Sequence, residues 1–233
     1  MNYLALCQRL RQETNYANAG PTAVTGQNGD HARAASWIAQ RYVELQNRHD
    51  WRWLRKPFTF NTVSGTASYA SGSVTDTETA NPITRFKSWE VKDRLNPARY
   101  YLASAGQGTE TYLTFISWAN YRALYQLGNR PSGAPAHISV GPDDKIYIGP
   151  TPNAVYTVTG EYNRSPQVLA ANTDTPEMPE QYHMLIVYHA MEDYAFFEAA
   201  DEVLSKATRA GRRMLRQLEG TQAPRMRMAG PLA

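Results

Sequence analysis

The 233-residue chain contains a single cysteine, Cys7, which excludes an internal disulfide and leaves no cysteine cluster that could hold a metal. Charged residues make up only 19% of the sequence, below the usual quarter. No apolar run approaches the roughly 18 residues that a membrane-spanning helix needs. The opening stretch MNYLALCQRLRQE has no basic leader before an apolar run. We therefore expect no export by a signal peptide and no membrane partner.

The common catalytic motifs are also missing. The sequence has no GxxxxGK[ST] phosphate loop, no HExxH pair, no GxSxG elbow and no spaced set of metal ligands. His189 and Asp193 are four residues apart on a predicted helix and could share a metal, but a local hydrogen bond or simple exposure explains them more simply. We therefore predict that the protein is not an enzyme and has no catalytic residue, no metal site and no cofactor.

Aromatic residues are plentiful by contrast, with 15 tyrosines and 5 tryptophans. Both residue types suit surfaces that are partly apolar and partly wet, which are typical of protein–protein contacts. A core that is simply rich in tyrosine explains the same composition. The residues alone leave both interpretations open.

The net charge of +3 is modest, but its distribution along the chain is uneven. Residues 1–56 carry 8 basic and 4 acidic side chains, residues 57–200 carry 9 and 14, and residues 201–233 carry 7 and 3. Both ends are therefore positive and the middle is negative, a polarity that can orient a protein in an assembly or beside DNA.

The first quarter of the chain has helical periodicity. Apolar residues recur every three or four positions in residues 2–14, and the pattern resumes after a turn-rich loop. Asp30 is a plausible N-cap for the second helix, which would extend to about His49. We predict an N-terminal helical hairpin over residues 1–56.

Strand periodicity replaces it from Pro57 onward, beginning with Phe58 and Phe60. The clearest signal is a hairpin around residues 141–144, with alternating isoleucine and valine on both sides. A third strand over 156–162 suggests an antiparallel meander, and Ser117 would cap a short helix up to Leu127. We predict an inserted β-rich region over residues 57–170.

A long helix is predicted from about Pro179 to Glu219, within a segment spanning residues 171–220. Its second half carries an apolar stripe, and four arginines lie opposite that stripe: Arg209, Arg212, Arg213 and Arg216. We call these four residues the arginine face. The residues therefore predict an α+β fold, with an N-terminal helical hairpin, an antiparallel β region and a long C-terminal helix.

The arginine face has three interpretations: a solvated helix surface, a docking surface for an acidic partner, or a lining for DNA that contacts phosphates without reading bases. Residues 221–233 cannot fold alone, because two prolines block a helix and the segment is too short for a core. They contain four alternating residues, Arg225, Met226, Arg227 and Met228. These fit either a disordered tail or an arm that becomes ordered on a partner.

Three motifs together resemble the head-to-tail adaptor (connector) proteins of tailed bacteriophages. The first is Ala34–Ile38 followed by Asp50–Leu54. The second comprises Gly133–Pro135, Ile146–Ile148, Pro150–Pro152 and Tyr156–Tyr162. The third is Met178–His183, which opens the long helix. Each motif is loose, but their order and spacing fit this family over most of the chain.

The resemblance implies a small helical bundle with a long C-terminal helix and an inserted antiparallel β domain. It also implies a ring, typically of twelve copies, that is mounted under the portal of the capsid, extends the DNA channel and presents a docking surface for the tail. Its expected partners are the portal protein, a tail or nozzle protein, sister copies and the DNA that passes through, and its expected location is the neck of the virion after assembly in the host cytoplasm. By position, portal docking would fall to the arginine face and to residues 225–228. The β region is longer than in the simplest adaptors, so its role stays open.

The resemblance also suggests a role for the aromatic junction RHDWRWLRK. Trp51, Trp53 and Leu54 would anchor the helix end against the β domain and the long helix, although plain core packing explains at least one tryptophan. Two other functions compete with the adaptor. One is a non-specific DNA-binding protein that uses the arginine face, and the other is an enzyme or carbohydrate-binding module in the β region.

Overall fold

The computed structural model describes residues 1–17, 19–92, 97–128 and 130–223. Within them it has α-helices at both ends of the chain and largely antiparallel sheets in the middle, which confirms the predicted α+β class. The α-helices are α1 (Tyr3–Thr14), α2 (Gly29–Asn47), α3 (Trp118–Tyr125), α4 (His183–Glu198) and α5 (Asp201–Gln222). Single 3-10 turns occur at Arg52–Leu54, Ser71–Ser73, Gln107–Thr109 and Glu180–Tyr182.

The described strands are short, and all begin and end in the middle of the chain. They are β1 (Arg55–Asn61), β2 (Ser68–Tyr69), β3 (Thr75–Asp76), β4 (Asn81–Pro82), β5 (Ser88–Glu90), β6 (Arg99–Leu102), β7 (Thr111–Tyr112), β8 (Thr114–Phe115), β9 (Ser132–Gly133), β10 (His137–Val140), β11 (Ile146–Gly149), β12 (Thr151–Pro152) and β13 (Tyr156–Asn163).

The chain divides into two compact units. The helical unit consists of Met1–Leu54 and the described part of Pro166–Ala233, and the β unit is Arg55–Ser165. The helical unit has α1, α2, α4 and α5 around one hydrophobic core, with Leu6, Ile38 and Leu185 fully buried. On α1, α2 and α5 the buried residues recur every three or four positions, so each of these helices presents one apolar side to the core. On α4 the consecutive residues 185–187 are all buried, so this helix packs on several sides.

The N-terminal helices α1 and α2 both follow an asparagine, but only α1 is capped by a side-chain hydrogen bond. At α1 the Asn2 side chain accepts a hydrogen bond of 2.9 Å from the Ala5 N–H, and Asn15 ends the helix in the left-handed conformation. At α2 the N-cap position is Asn28, and Asp30 lies inside the first turn. The prediction of Asp30 as the cap is therefore wrong by two residues, although its carboxylate still lies where it favours the helix dipole.

The predicted single helix over 179–219 is two helices. Ala199 adopts a left-handed conformation, with φ of 52°, and its N–H bonds to the Ala195 carbonyl, which ends α4. The chain then reverses, and α5 packs antiparallel against α4. Gly211 of α5 is buried, and a Cβ at that position would lie 3.6 Å from the Tyr188 Cβ. The long C-terminal helix is thus present as α5, and it extends through Gln222, two residues into the segment 221–233 for which no helix was predicted.

The described residues of the β unit form three sheets. The largest follows the order β4-β3-β1-β13-β6-β7, with β5 also paired to β13. A second follows β2-β11-β10-β8, and β9 pairs with β12 in a third. Most pairs are antiparallel, while β8–β10 and β9–β12 are parallel.

The predicted hairpin is confirmed, with Ile138 opposite Ile148 and Val140 opposite Ile146. The predicted meander is wrong, because β13 pairs with β1, β5 and β6 in the other large sheet. The intervening segment Gly149–Asn153 contains two prolines, which lack the N–H that a continuing ladder requires. The chain there pairs with β9 and leaves the hairpin.

A close backbone approach fixes the packing between β1 and β13. Phe58 lies opposite Gly160 in register, and a Cβ at Gly160 would stand 2.7 Å from the Phe58 ring. The ring therefore occupies the space that a side chain would fill. Phe58, together with Trp89 and Val158, belongs to the hydrophobic core of the β unit.

Candidate functional surface

The arginine face lies on the solvent side of α5. Arg209, Arg212, Arg213 and Arg216 are all exposed, whereas the opposite side of α5 is buried through Ala207, Gly211, Leu215 and Leu218. At 100° per residue, the four arginines fall within an arc of about 100° and rise over roughly 10 Å. The predicted separation of an apolar stripe from a basic surface is observed here.

These arginines have no partner in the described part of the chain. None of the four forms a hydrogen bond or ion pair with any described residue. They line an open surface groove together with Leu204, Thr208 and Gln217. Because like charges three or four residues apart on a helix repel each other, the face stores unfavourable electrostatic energy that an anionic partner would relieve.

Other cations of the helical unit are, in contrast, used to hold helices together. Lys206, on the same helix, reaches Glu13 of α1 at 2.6 Å, and this ion pair contributes to holding the pKa of Glu13 below its ordinary value. Arg41 of α2 forms a bidentate pair with Asp193 of α4, and its hydrogen bonds to that carboxylate raise the pKa of the guanidinium. The arginine face is therefore distinguished by the absence of such pairing among the described residues.

The tryptophan junction lies inside the helical unit. Trp51 is fully buried, and its indole N–H donates a hydrogen bond of 2.7 Å to the Leu45 carbonyl. Trp53 stacks on it at 4.7 Å between ring centroids, and Leu54 is buried beside them. Trp51, Trp53 and Leu54 thus form part of one packed core, while their predicted contact with the β domain stays a prediction.

The remaining predicted residues of the surface, Arg225, Met226, Arg227 and Met228, lie outside the described residues. The structure therefore brings together four of the eight residues predicted for docking, all of them on α5. The predicted alternative to a shared metal site at His189 and Asp193 is observed, since His189 lies 3.4 Å from Glu192 while Asp193 pairs with Arg41.

The sequence pattern missed an exposed aromatic site at the end of α4. Phe197 is 50% exposed, and its neighbour Phe196 is 73% exposed. Trp37 and Tyr194 lie behind Phe197, and the Arg33 guanidinium covers its ring at 4.2 Å. The signal was present in the sequence, because two adjacent aromatic residues on a helix cannot both face one core.

A second missed feature is the end of α3 in the β unit. Tyr121 is buried and donates a hydrogen bond of 3.0 Å to the Ile148 carbonyl, and Tyr125 packs over Gly149. The same helix end leaves Leu124 55% exposed and Leu127 77% exposed. The tyrosines hold α3 against the hairpin, and the leucines are left for solvent or for a partner.

One buried charge has a structural role. Asp76 is 2% exposed and accepts hydrogen bonds of 2.6 Å from both the Tyr162 hydroxyl and the Arg164 guanidinium. Burial raises the pKa of Asp76, but these hydrogen bonds and one from the Thr79 backbone outweigh that effect and lower it to about 2. Asp76 therefore stays ionised at neutral pH and joins β3 to β13.

The described ranges contain no group of three or more His, Cys, Asp or Glu side chains that could hold a metal ion. No helix in the same ranges is both long enough and apolar enough to cross a membrane. In comparisons with known proteins, the family model described as SU10 adaptor protein matches residues 1–233. No curated protein sequence matches the chain.

Proposed function

The chain belongs to the SU10 adaptor protein family, and from this premise we propose how it works as a phage head-to-tail adaptor. The family is one of structural adaptor proteins rather than a class of enzymes, it implies contacts with portal and tail proteins, and it makes the chain a component of the virion. We propose that the chain forms a twelve-membered ring in the neck of the virion after assembly in the host cytoplasm. The ring docks on the portal, extends the DNA channel and presents the attachment surface for a tail or nozzle protein.

The observation that supports portal docking most strongly is the unpaired arginine face. Guanidinium groups bind carboxylates through two parallel hydrogen bonds, which gives both affinity and a defined orientation. Four such groups on one rigid helix, without acidic partners in the described chain, fit an acidic surface on a larger complex. Residues 225–228 follow the same helix and are proposed to extend this contact.

The proposed mechanism is adhesive. The buried side of α5 holds the helix in the bundle. Because α5 is already ordered, docking on the portal loses little conformational entropy in this helix. Contacts between sister copies close the ring, and each copy then contributes one arginine face, so that many weak contacts add up through a single rigid ring.

The test is co-sedimentation of the full chain with portal rings of the same phage. Replacing all four arginines by Gln should abolish binding at physiological salt, because the docking charge is lost. The matched control replaces all four by Lys, which keeps the charge but removes the bidentate geometry, and should give intermediate binding. If the Gln variant binds the portal as well as the unmodified chain, the arginine face does not dock there.

A separate variant tests the arm. Since α5 continues through Gln222, deletion of residues 224–233 leaves the described helix intact. We expect this deletion to weaken portal binding while the unfolding midpoint stays the same. Undiminished co-sedimentation would show that the arm has no part in docking.

A second candidate function is non-specific DNA binding through the same four arginines, favoured by their solvent exposure along roughly 10 Å of one helix. Four phosphate contacts would give a slope of about −4 in a plot of log affinity against log salt. Fluorescence anisotropy with a duplex of random sequence measures this slope. An absence of binding at low salt would reject DNA binding as the main function.

A further inference from the structure

The two exposed apolar sites described above are complementary to each other. We call the first the elbow: Phe196, Phe197, Glu198, Asp201 and Glu202, where α4 turns into α5. We call the second the tip: Arg122, Leu124, Leu127 and Arg130, at the end of α3. The elbow is apolar and acidic, apart from the Arg33 guanidinium over the Phe197 ring, and the tip is apolar and basic.

The charges of both sites are available to a partner. Within the part of the chain that the structure describes, Glu198, Asp201 and Glu202 form no hydrogen bond or ion pair through their side chains. The same holds for Arg122 and Arg130 across the described ranges. All five residues are exposed. Asp201 and Glu202 lie in the first turn of α5, where they favour the helix dipole, but that interaction leaves their carboxylates open to solvent.

Packed aromatic residues lie beneath part of each site. At the elbow, Phe197 contacts Trp37 at 6.0 Å between ring centroids, and Trp37 in turn contacts Tyr194 at 6.4 Å. At the tip, Tyr125 packs on Gly149 and bonds to His137 at 2.6 Å. Side chains that are already packed lose little conformational entropy when a partner binds, which favours stable association.

We infer that the elbow of one copy binds the tip of the next copy, in a head-to-tail contact between neighbouring subunits. This inference rests on the proposed ring and assigns its subunit interface. Interfaces have an apolar centre with a polar rim. Phe196 and Phe197 would meet Leu124 and Leu127 at the centre, with carboxylates and guanidiniums facing each other around them.

The tip fits the elbow better than the arginine face does. The arginine face offers four positive charges, but its exposed centre has no large apolar side chain to cover the two phenylalanines. The tip supplies both charge and apolar area. Because elbow and tip are different surfaces, the contact is heterologous, and repeated copies close into a ring when the rotation per subunit allows it.

Charge reversal tests the pairing. The elbow variant Asp201→Lys/Glu202→Lys and the tip variant Arg122→Glu/Arg130→Glu should each weaken self-association of the full chain about a hundredfold, because like charges then meet. A chain with all four changes should recover, and a mixture of the two variants should also assemble, since each junction again joins opposite charges. Sedimentation velocity of the full chain, alone and on portal rings, measures this.

Cross-linking tests the geometry independently of affinity. Cys7 is buried and is the only cysteine, so introduced cysteines are the only accessible thiols. The double variant Leu127→Cys/Phe196→Cys, treated with a bis-maleimide, should give a ladder of dimers, trimers and larger species. Each single variant serves as the control and should stop at dimers.

The inference would be overturned if the double cysteine variant also stopped at dimers, both free and on the portal. It would also be overturned if self-association of the elbow variant recovered only when the charge of the arginine face was reversed. The outcome is separable from that of portal docking. A ladder without portal binding would retain the subunit contact and reject the docking proposal, whereas portal binding without a ladder would do the opposite.

Discussion

Removing charge from the arginine face should stabilise the free protein, which is an unusual expectation for a surface that functions by binding. Four close pairs exist, namely 209–212, 209–213, 212–216 and 213–216, and each includes either Arg212 or Arg213. A like-charge pair at this spacing costs about 0.2–0.5 kcal/mol, so the variant Arg212→Gln/Arg213→Gln removes about 1–2 kcal/mol of repulsion. Gln and Arg have similar helix propensities, so the backbone contributes little.

Urea unfolding at low and high salt measures this effect. At low salt the variant should unfold at higher urea, and its melting temperature should rise by about 2–4 °C for each kcal/mol in a protein of this size. The gain should disappear near 1 M salt, where the Debye length falls to about 3 Å. Arg9→Gln is the matched control, because Arg9 pairs with Glu13, and its loss should slightly destabilise the fold.

Lower stability of the double variant at low salt would contradict the argument. It would mean that Arg212 and Arg213 make favourable contacts in the free chain, and the case for an external partner would then lose its main support.

Three further predictions concern the cores. Since the pKa of Asp76 is lowered to about 2, ionised Asp76 contributes about 2 kcal/mol to the free energy of unfolding above pH 4, and this contribution is lost as the pH falls toward 2. Asp76→Asn should remove this pH dependence from acid unfolding curves. An unchanged acid limb would show that Asp76 does not control acid unfolding. Gly160→Ala should destabilise the β unit by about 1–3 kcal/mol in urea, and Phe58→Leu should recover part of the loss; a neutral Gly160→Ala would disprove the close approach. Trp51→Ala should cost about 3–5 kcal/mol in the same assay, and a cost below 1 kcal/mol would be inconsistent with its burial.

Local periodicity predicted the features that depend on one element at a time. The alternation of Ile138 and Val140 with Ile146 and Ile148 defined the hairpin, because side chains two apart share a face of a strand. The arginine face followed from the 3.6-residue period of α5 in the same way.

Features that depend on distant residues were not predictable in this way. The pairing of Phe58 with Gly160 joins the first and last strands of the β unit, which are about 100 residues apart in sequence, and no local pattern encodes such a partner. The reversal at Ala199 lacks the glycine or proline that usually marks one, and only the acidic pair Asp201 and Glu202 signalled a new helix start. The elbow brings the phenylalanine pair of α4 beside the acidic residues of α5 through this reversal, so its composition was not predicted from the sequence.

The most direct test of the adaptor mechanism is electron microscopy of the full chain mixed with the portal ring of its phage. The mechanism predicts a second ring of density stacked coaxially on the portal, with α5 at the junction, and loss of that density when the four arginines are changed to Gln. Portal rings that remain bare at low salt, or that carry the same density with the Gln variant, would contradict it.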